Sequence, residues 1–262
     1  MILDDILRHK RIEIRRSKKM RPLSVLQKEA ARLPKRRNHF LLSLKRSRGM
    51  AVIAEIKRRS PSKGILCKNF NAPRIAREYQ AAGASALSVL TDKRFFGGSA
   101  EILKSVKMAC SLPILRKDFI IDDTQVYESR LMGAEAILLI ARTLSAASLK
   151  RLYALSKKLG LEVLFEVHNG AELKKVLPLG PRMIGINNRD LADFHVDLNV
   201  SRRLAPQVPG RCLLVSESGI KDAEDLIELK KYGIRAVLVG ETLMKEKRPG
   251  QALKRLLGKT RG

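Results

Sequence analysis

The chain contains no tryptophan, and its few tyrosines and phenylalanines bring aromatics to only 4% of 262 residues. That scarcity argues against recognition of single-stranded nucleic acid, which relies on stacking bases against rings. No zinc-finger, zipper or RNP-like pattern occurs either. Cysteine is equally sparse. Cys67, Cys110 and Cys212 are odd in number, far apart and never in a paired metal spacing, which excludes a disulfide framework and fits a reducing cytoplasm. No apolar run approaches the length of a membrane span, and the charged start, Met1 to Asp5, is unlike a signal peptide, so no membrane partner is expected. Acidic residues are short as well: 26 Asp and Glu face 53 Lys and Arg, for a formal charge of +27 and a pI near 10.5. Such an excess points to an anionic partner. The basic residues are spread over every helix-like segment, most densely between Arg8 and Arg48, so the charge reads as a solvated surface that steers small anionic substrates. A specific nucleic-acid partner is not expected, and a basic nucleic-acid-binding protein is the alternative.

What the chain does have is core: 45% of it is hydrophobic, and its length suits one large domain. From Met50 onward a strand, loop and helix pattern repeats. Apolar strand-like runs fall at 51–56, 86–90, 113–116, 135–140, 161–166, 183–187, 212–216 and 235–239. Helical spacing fills 71–82, 99–109, 122–132, 145–159, 169–177, 198–205, 221–231 and 248–257, with caps at Asp122/Gln125 and Asn169/Glu172. This alternation predicts an α/β fold, a (β/α)8 TIM barrel, over residues 48–262. No glycine fingerprint of the dinucleotide type follows the first strand, which disfavours an open doubly wound sheet. Residues 1–47 hold too few apolar positions for a core of their own and are read as a helical extension packed on the barrel. Within it, Ser24 to Gln27 reads as a capping-box start for a second helix that Pro34 closes.

In such a barrel the chemistry sits where strands end at their carboxyl side. The run Ala51 to Ile56 carries Glu55 and then Lys57, followed by a loop marked by Ser60, Pro61 and Gly64. The third strand ends in Lys117 and Asp118, the fifth in Glu166, the sixth in Asn187 and Arg189, the seventh in Glu217 and Ser218. Charges are costly to bury unless paired or used, so one polar strand end is unremarkable and five on a single rim predict a site. Gly219 and Gly240 follow the last two strands, where backbone N–H groups at a helix start form a recurrent phosphate site; Glu241 could help only through its N–H, and Lys57 is a further phosphate-binding candidate. Ser218-Gly219-Ile220 is read as opening the helix after strand seven.

These motifs, taken in order, carry a resemblance. Ile53-Ala-Glu-Ile-Lys57, Ser60-Pro-Ser-Lys-Gly64, Leu115-Arg-Lys-Asp-Phe119, Phe165-Glu-Val-His168, Gly185-Ile-Asn-Asn-Arg-Asp190 and Ser216-Glu-Ser-Gly219 resemble the successive motifs of the indole-3-glycerol phosphate synthase family. Ile2-Leu-Asp-Asp-Ile-Leu, the segment Leu90 to Ser99 and Gly240 to Met244 extend the likeness nearly end to end. Arg58-Arg59 and the basic N-terminal region are more cationic than the family pattern suggests. The resemblance implies ring closure, decarboxylation and dehydration of 1-(2-carboxyphenylamino)-1-deoxyribulose 5-phosphate in tryptophan biosynthesis, by a carbon–carbon lyase with no cofactor and no metal. It implies Lys117 as general acid, Glu166 as second acid/base and Lys57 as a cation that orients substrate, with the division of proton transfers between the lysines left open. Glu55, Asn187, Arg189, Glu217 and Ser218 would support them, and Phe96, Phe119 and Leu138 would line the aromatic end. The substrate partner would be a small anionic phosphosugar, and a monomer is expected. Another phosphosugar barrel enzyme, such as phosphoribosylanthranilate isomerase, is the enzymatic alternative; that family's pattern has a cysteine on the first strand, where this chain has Glu55 and Lys57.

Overall fold

Strands buried on both faces read as continuous apolar runs, and eight such runs here become eight parallel strands. The computed structural model describes residues 2–34, 39–190 and 194–259. The strands are β1 (Ala51–Ile56), β2 (Ala86–Leu90), β3 (Ile114–Lys117), β4 (Ala136–Ile140), β5 (Glu162–Val167), β6 (Met183–Asn187), β7 (Leu213–Glu217) and β8 (Ala236–Val239). Each pairs with its sequence neighbours, and β1 pairs with β8 (Ala51 opposite Ala236), so the sheet closes into a barrel. The expected (β/α)8 fold is the observed one, with strand limits within a residue or so of the apolar runs.

Side chains alternate along a strand. Val52, Ala54, Leu87, Val89, Ile114, Ile137, Val163, Phe165, Ile184 and Val237 pack outward with the helices. Ala51, Ile53, Leu115, Leu138, Leu164, Met183, Val215 and Leu238 fill the interior. The same alternation carries Glu55, Lys117, Glu166, Asn187 and Glu217 to the inside, at the carboxyl ends.

Three helices precede the barrel: α1 (Ile2–Met20), α2 (Leu23–Arg32) and α3 (His39–Lys45). The short α3 was not legible as a separate helix. It places Phe40, Leu41 and Leu44 in the interior cluster with Ala51, Ile53 and Leu115, beneath the amino ends of the strands. The expected capping box at Ser24 does not form: α2 starts at Leu23 behind Pro22, with no side-chain cap, because Pro22 already fixes the entry and Ser24 lies inside the first turn. Leu33 is extended before Pro34, as the residue preceding a proline should be. Around the barrel run α4 (Ala72–Ala82), α5 (Lys93–Phe96), α6 (Ala100–Ala109), α7 (Asp123–Met132), α8 (Ala146–Lys158), α9 (Gly170–Val176), α10 (Asn199–Leu204), α11 (Ala223–Lys231), α12 (Glu241–Met244) and α13 (Pro249–Leu256). The capping box at Asp122/Gln125 is present, and Asn169 caps α9. The helix after β7 opens later than expected. Asp222 caps it, and Ser218 and Gly219 instead form a turn with positive φ. The loop after β1 contains a tiny antiparallel hairpin, Arg59 opposite Ile65 and Ser60 opposite Gly64. Among the described residues no helix is long and apolar enough to cross a membrane.

The first helix reaches the rim. Ile6 joins the interior cluster beside Phe95 and Phe96, and Lys10 is 3% exposed, with its ammonium 3.0 Å from Asp92 and 2.9 Å from Asp118. Asp118 also pairs with Arg116 at 3.0 Å and accepts from Thr91 at 2.6 Å. Burial alone would raise the Asp118 carboxyl, but Lys10, Arg116 and Thr91 outweigh it and hold the group well below the usual range. Through Lys10 this helix is in direct contact with residues of the rim.

Candidate active site

A cavity of ≈ 440 Å³ opens at the carboxyl ends of the strands, and every site residue singled out in the sequence borders it. At its floor three carboxylates meet two ammonium groups. Lys57 lies 2.6 Å from Glu55, and Lys117 lies 3.0 Å from Glu166 and 3.7 Å from Glu217. Burial pulls the Lys117 ammonium toward losing its proton, but the combined field of Glu166, Glu217 and Glu55 wins and holds its pKa above the ordinary value. Burial likewise pushes Glu166 up, and Lys117, His168 and a hydrogen bond from Asn187 reverse the sign, leaving it ionised. Glu217 ends differently. Burial and its carboxylate neighbours Glu166 and Glu55 exceed the help of Lys117, so it is pushed up to about 8 and keeps its proton at neutral pH.

The walls are of mixed polarity. Phe96, Phe119 and Leu138 give one apolar side, with the two rings 6.2 Å apart, centroid to centroid. The lining also takes in Ser218, Gly219, Ile220 and Gly240 from the segments after β7 and β8, Glu241 and Thr242 at the start of α12, and the cations Lys57, Lys63, Lys221, Arg189 and Lys245. The Glu241 side chain is turned into ion pairs with Arg189 at 2.9 Å and Lys245 at 2.6 Å, which removes its charge as an obstacle to an anion. Ser60 sits on the loop after β1, whose Arg59 donates to the carbonyls of Lys93 and Arg94 and so ties this loop to the one after β2. Among the described residues no group of three or more His, Cys, Asp or Glu is arranged to hold a metal ion.

The two glycines have duties within the protein itself. A Cβ on Gly240 would lie 2.4 Å from Glu55 Oε1, and one on Gly219, at φ +85°, would lie 2.7 Å from Val196. A third glycine escaped notice in the sequence as a site residue. Gly185 stands beside Glu217, whose Oε1 would lie 2.0 Å from a Cβ there. His168, Lys221 and Lys245 were also missed. Only His168 lay in a recognised motif, two positions beyond Glu166; the lysines read as surface charge.

Matching the sequence against known families gives Indole-3-glycerol phosphate synthase over residues 3–256. The chain belongs to the indole-3-glycerol phosphate synthase family. Relatives bearing that name include proteins of Chlorobium chlorochromatii, 47% identical over 92% of this chain and 94% of the relative, and of Polaromonas naphthalenivorans, 48% identical over 98% of each. A third, from Thermoanaerobacter pseudethanolicus, is 44% identical over 94% of this chain and 93% of its own length. Solved structures at low identity share the barrel alone. KGPDC from Streptococcus mutans superposes with a TM-score of 0.61 at 12% identity, covering 81% of this chain and 97% of that one. A 3-hexulose-6-phosphate synthase gives 0.63 at 14% identity, covering 80% and 99%. The family and enzyme class expected from the motifs hold: the chain is an enzyme of the indole-3-glycerol phosphate synthase type, a decarboxylating lyase acting on a phosphosugar-like substrate.

Proposed function

We propose that this cavity takes 1-(2-carboxyphenylamino)-1-deoxyribulose 5-phosphate and closes the pyrrole ring, releasing CO2 and water to leave indole-3-glycerol phosphate. The observation that carries the residue roles is the Lys117 ammonium held between Glu166 and Glu217 on the floor of a cavity lined by both apolar and cationic side chains. The anthranilate ring suits Phe96, Phe119 and Leu138, and the phosphate suits the backbone after β7 and β8 with the cations beside it. Lys117, kept in its charged form, donates its proton to the ketone oxygen as the carbon–carbon bond forms. Lys57, oriented by Glu55, faces the carboxylate that leaves as CO2. Glu166, ionised at the start, then takes a proton from the ring carbon next to the one that bears the hydroxyl and delivers it to that hydroxyl, which leaves as water as the ring double bond forms; Asn187 steadies it. Ser218, Arg189 and Ser60 hold substrate.

The same proposal covers the setting. The chain works as an extension, 1–47, laid on a catalytic barrel, 48–262, supported by the Lys10 pairs and the α3 contacts. It is a cytoplasmic monomer without a specific nucleic-acid partner, supported by three separated free cysteines and few aromatics. Glu166→Gln tests the core of it: nearly isosteric but unable to exchange a proton, it should lose most turnover in a fluorescence assay for indole-3-glycerol phosphate while substrate affinity changes little. A variant that keeps its rate and binds much more weakly would recast Glu166 as a binding group.

A further inference from the structure

The strand that delivers Glu166 runs on to a buried histidine that the roles above leave unused. Each ring nitrogen of His168 faces a carboxylate: Nδ1 is 3.0 Å from Glu172 Oε2, and Nε2 is 3.4 Å from Glu166 Oε1. Glu172 is itself fixed, since its Oε2 accepts the His168 backbone N–H at 2.8 Å and its Oε1 accepts from the Asn169 amide at 3.0 Å. A neutral imidazole has one N–H and can serve only one of these carboxylates, whereas the imidazolium donates to both. Nε2 makes no hydrogen bond at rest, so it stands at ion-pair distance from Glu166 with its donor capacity unspent.

We propose that His168, charged and oriented by Glu172, is a positioning residue that keeps Glu166 ionised between ring closure and dehydration, as the counter-charge that remains once Lys117 has given its proton to substrate. The inference rests on the roles assigned to Lys117 and Glu166 above. At rest Glu166 has two cationic neighbours, Lys117 and His168. When Lys117 becomes a neutral amine, one is lost, and a buried carboxylate without compensation takes up a proton. His168 cannot be consumed in the same step, because it lies behind Glu166 and does not border the cavity. The charged groups acting on it come from three elements: Glu166 on β5, Glu172 on α9, and Arg142 on the short turn after β4. Burial and Arg142 disfavour the imidazolium, yet the two carboxylates prevail and its pKa is raised. Arg142 is partly drawn away by Asp190, 3.4 Å distant.

Two substitutions separate the ring nitrogens. In His168→Asn the amide nitrogen stands in for Nδ1 and keeps the bond to Glu172; in His168→Gln it reaches toward the place of Nε2. Neither is charged. The pH profile of kcat should show its acid limb, where Glu166 takes up a proton, displaced upward by about one unit in His168→Asn, a roughly tenfold loss at a pH on that limb. KM at the plateau should change little, and His168→Gln should fall between the variant and wild type. Nitrogen NMR of the wild-type protein should find both ring nitrogens of His168 protonated at neutral pH, and Glu172→Gln should move its titration back toward 6.5, the ordinary histidine value. A neutral ring in wild type, or an acid limb that moves in neither variant, overturns the proposal while turnover persists. Wild-type protein with no turnover at all overturns the functional reading, and the role given to His168 falls with it.

Discussion

Lys117 and Asp118 are neighbours in sequence, yet they anchor two charge clusters of opposite kind. Lys117 points into the barrel, where three carboxylates, Glu55, Glu166 and Glu217, share two ammonium groups beside an open cavity. Asp118, which borders the same cavity, meets Lys10 of α1 together with Arg116 and Thr91. Both are buried and both are ion-paired, so neither property marks a site. The difference is where the excess of acid shows. In the Asp118 cluster Lys10 and Arg116 face Asp118, Asp92, Glu13 (2.6 Å from Lys10) and Glu128 (3.6 Å from Arg116), and the Asp118 carboxyl is still held low. In the Lys117 cluster the surplus appears as a proton kept on Glu217, whose Oε1, like Asp92 Oδ2 in the other cluster, has no hydrogen bond. Unspent capacity beside empty space is what a reacting molecule can use.

Breaking the first cluster should cost rate. Lys117→Ala removes the proton donor and is expected to lower turnover by at least about 10²-fold, with the circular-dichroism melting curve still cooperative. Turnover above about a tenth of wild type would show that Lys117 is not the essential acid. Breaking the second should cost stability instead. Lys10→Met strands Asp92 and Asp118 without their shared cation, and removing one partner of a buried pair is worth about 3–5 kcal/mol. Urea melts should show that loss, while kcat measured where the variant remains folded falls far less than in Lys117→Ala. Equal losses of rate in the two variants would merge the clusters into one functional unit. The smallest effect tests the surplus acid. Glu217 titrates near 8 in the folded protein and near 4.5 when unfolded, so the folded state holds the extra proton between those values. Stability contributed by this group therefore falls as pH rises from 4.5 to about 8. Glu217→Gln cannot ionise, and its Tm relative to wild type should climb across that window; a constant difference would show that Glu217 is already charged.

The two clusters also differ in how well the sequence displays them. Glu55, Lys117, Glu166, Asn187 and Glu217 each end an apolar run, and a polar residue in that position is visible without any knowledge of its partners. The barrel was legible for the same reason, since parallel strands buried on both faces leave unbroken runs. Lys10 left no such mark. On a helix rich in Arg and Lys it reads as one more solvated charge, and its partners Asp92 and Asp118 lie far along the chain. The α3 plug was hidden by its length, seven residues, too few to establish a helical period. Ser24 misled because a cap is defined by where the helix starts, and Pro22 moved that start. The proton on Glu217 could not be read at all, being a property of four strands brought together.

Gly185 and Gly240 mark, by what they omit, where two carboxylates stand: each leaves open the volume that Glu217 or Glu55 occupies from a neighbouring strand. A graft of this chemistry onto another eightfold barrel would thus fail if it copied only the residues with functional groups. The transplant has to carry the two vacancies along with the acids, and a mutational scan should find both positions as intolerant of alanine as if they bore a reactive group themselves.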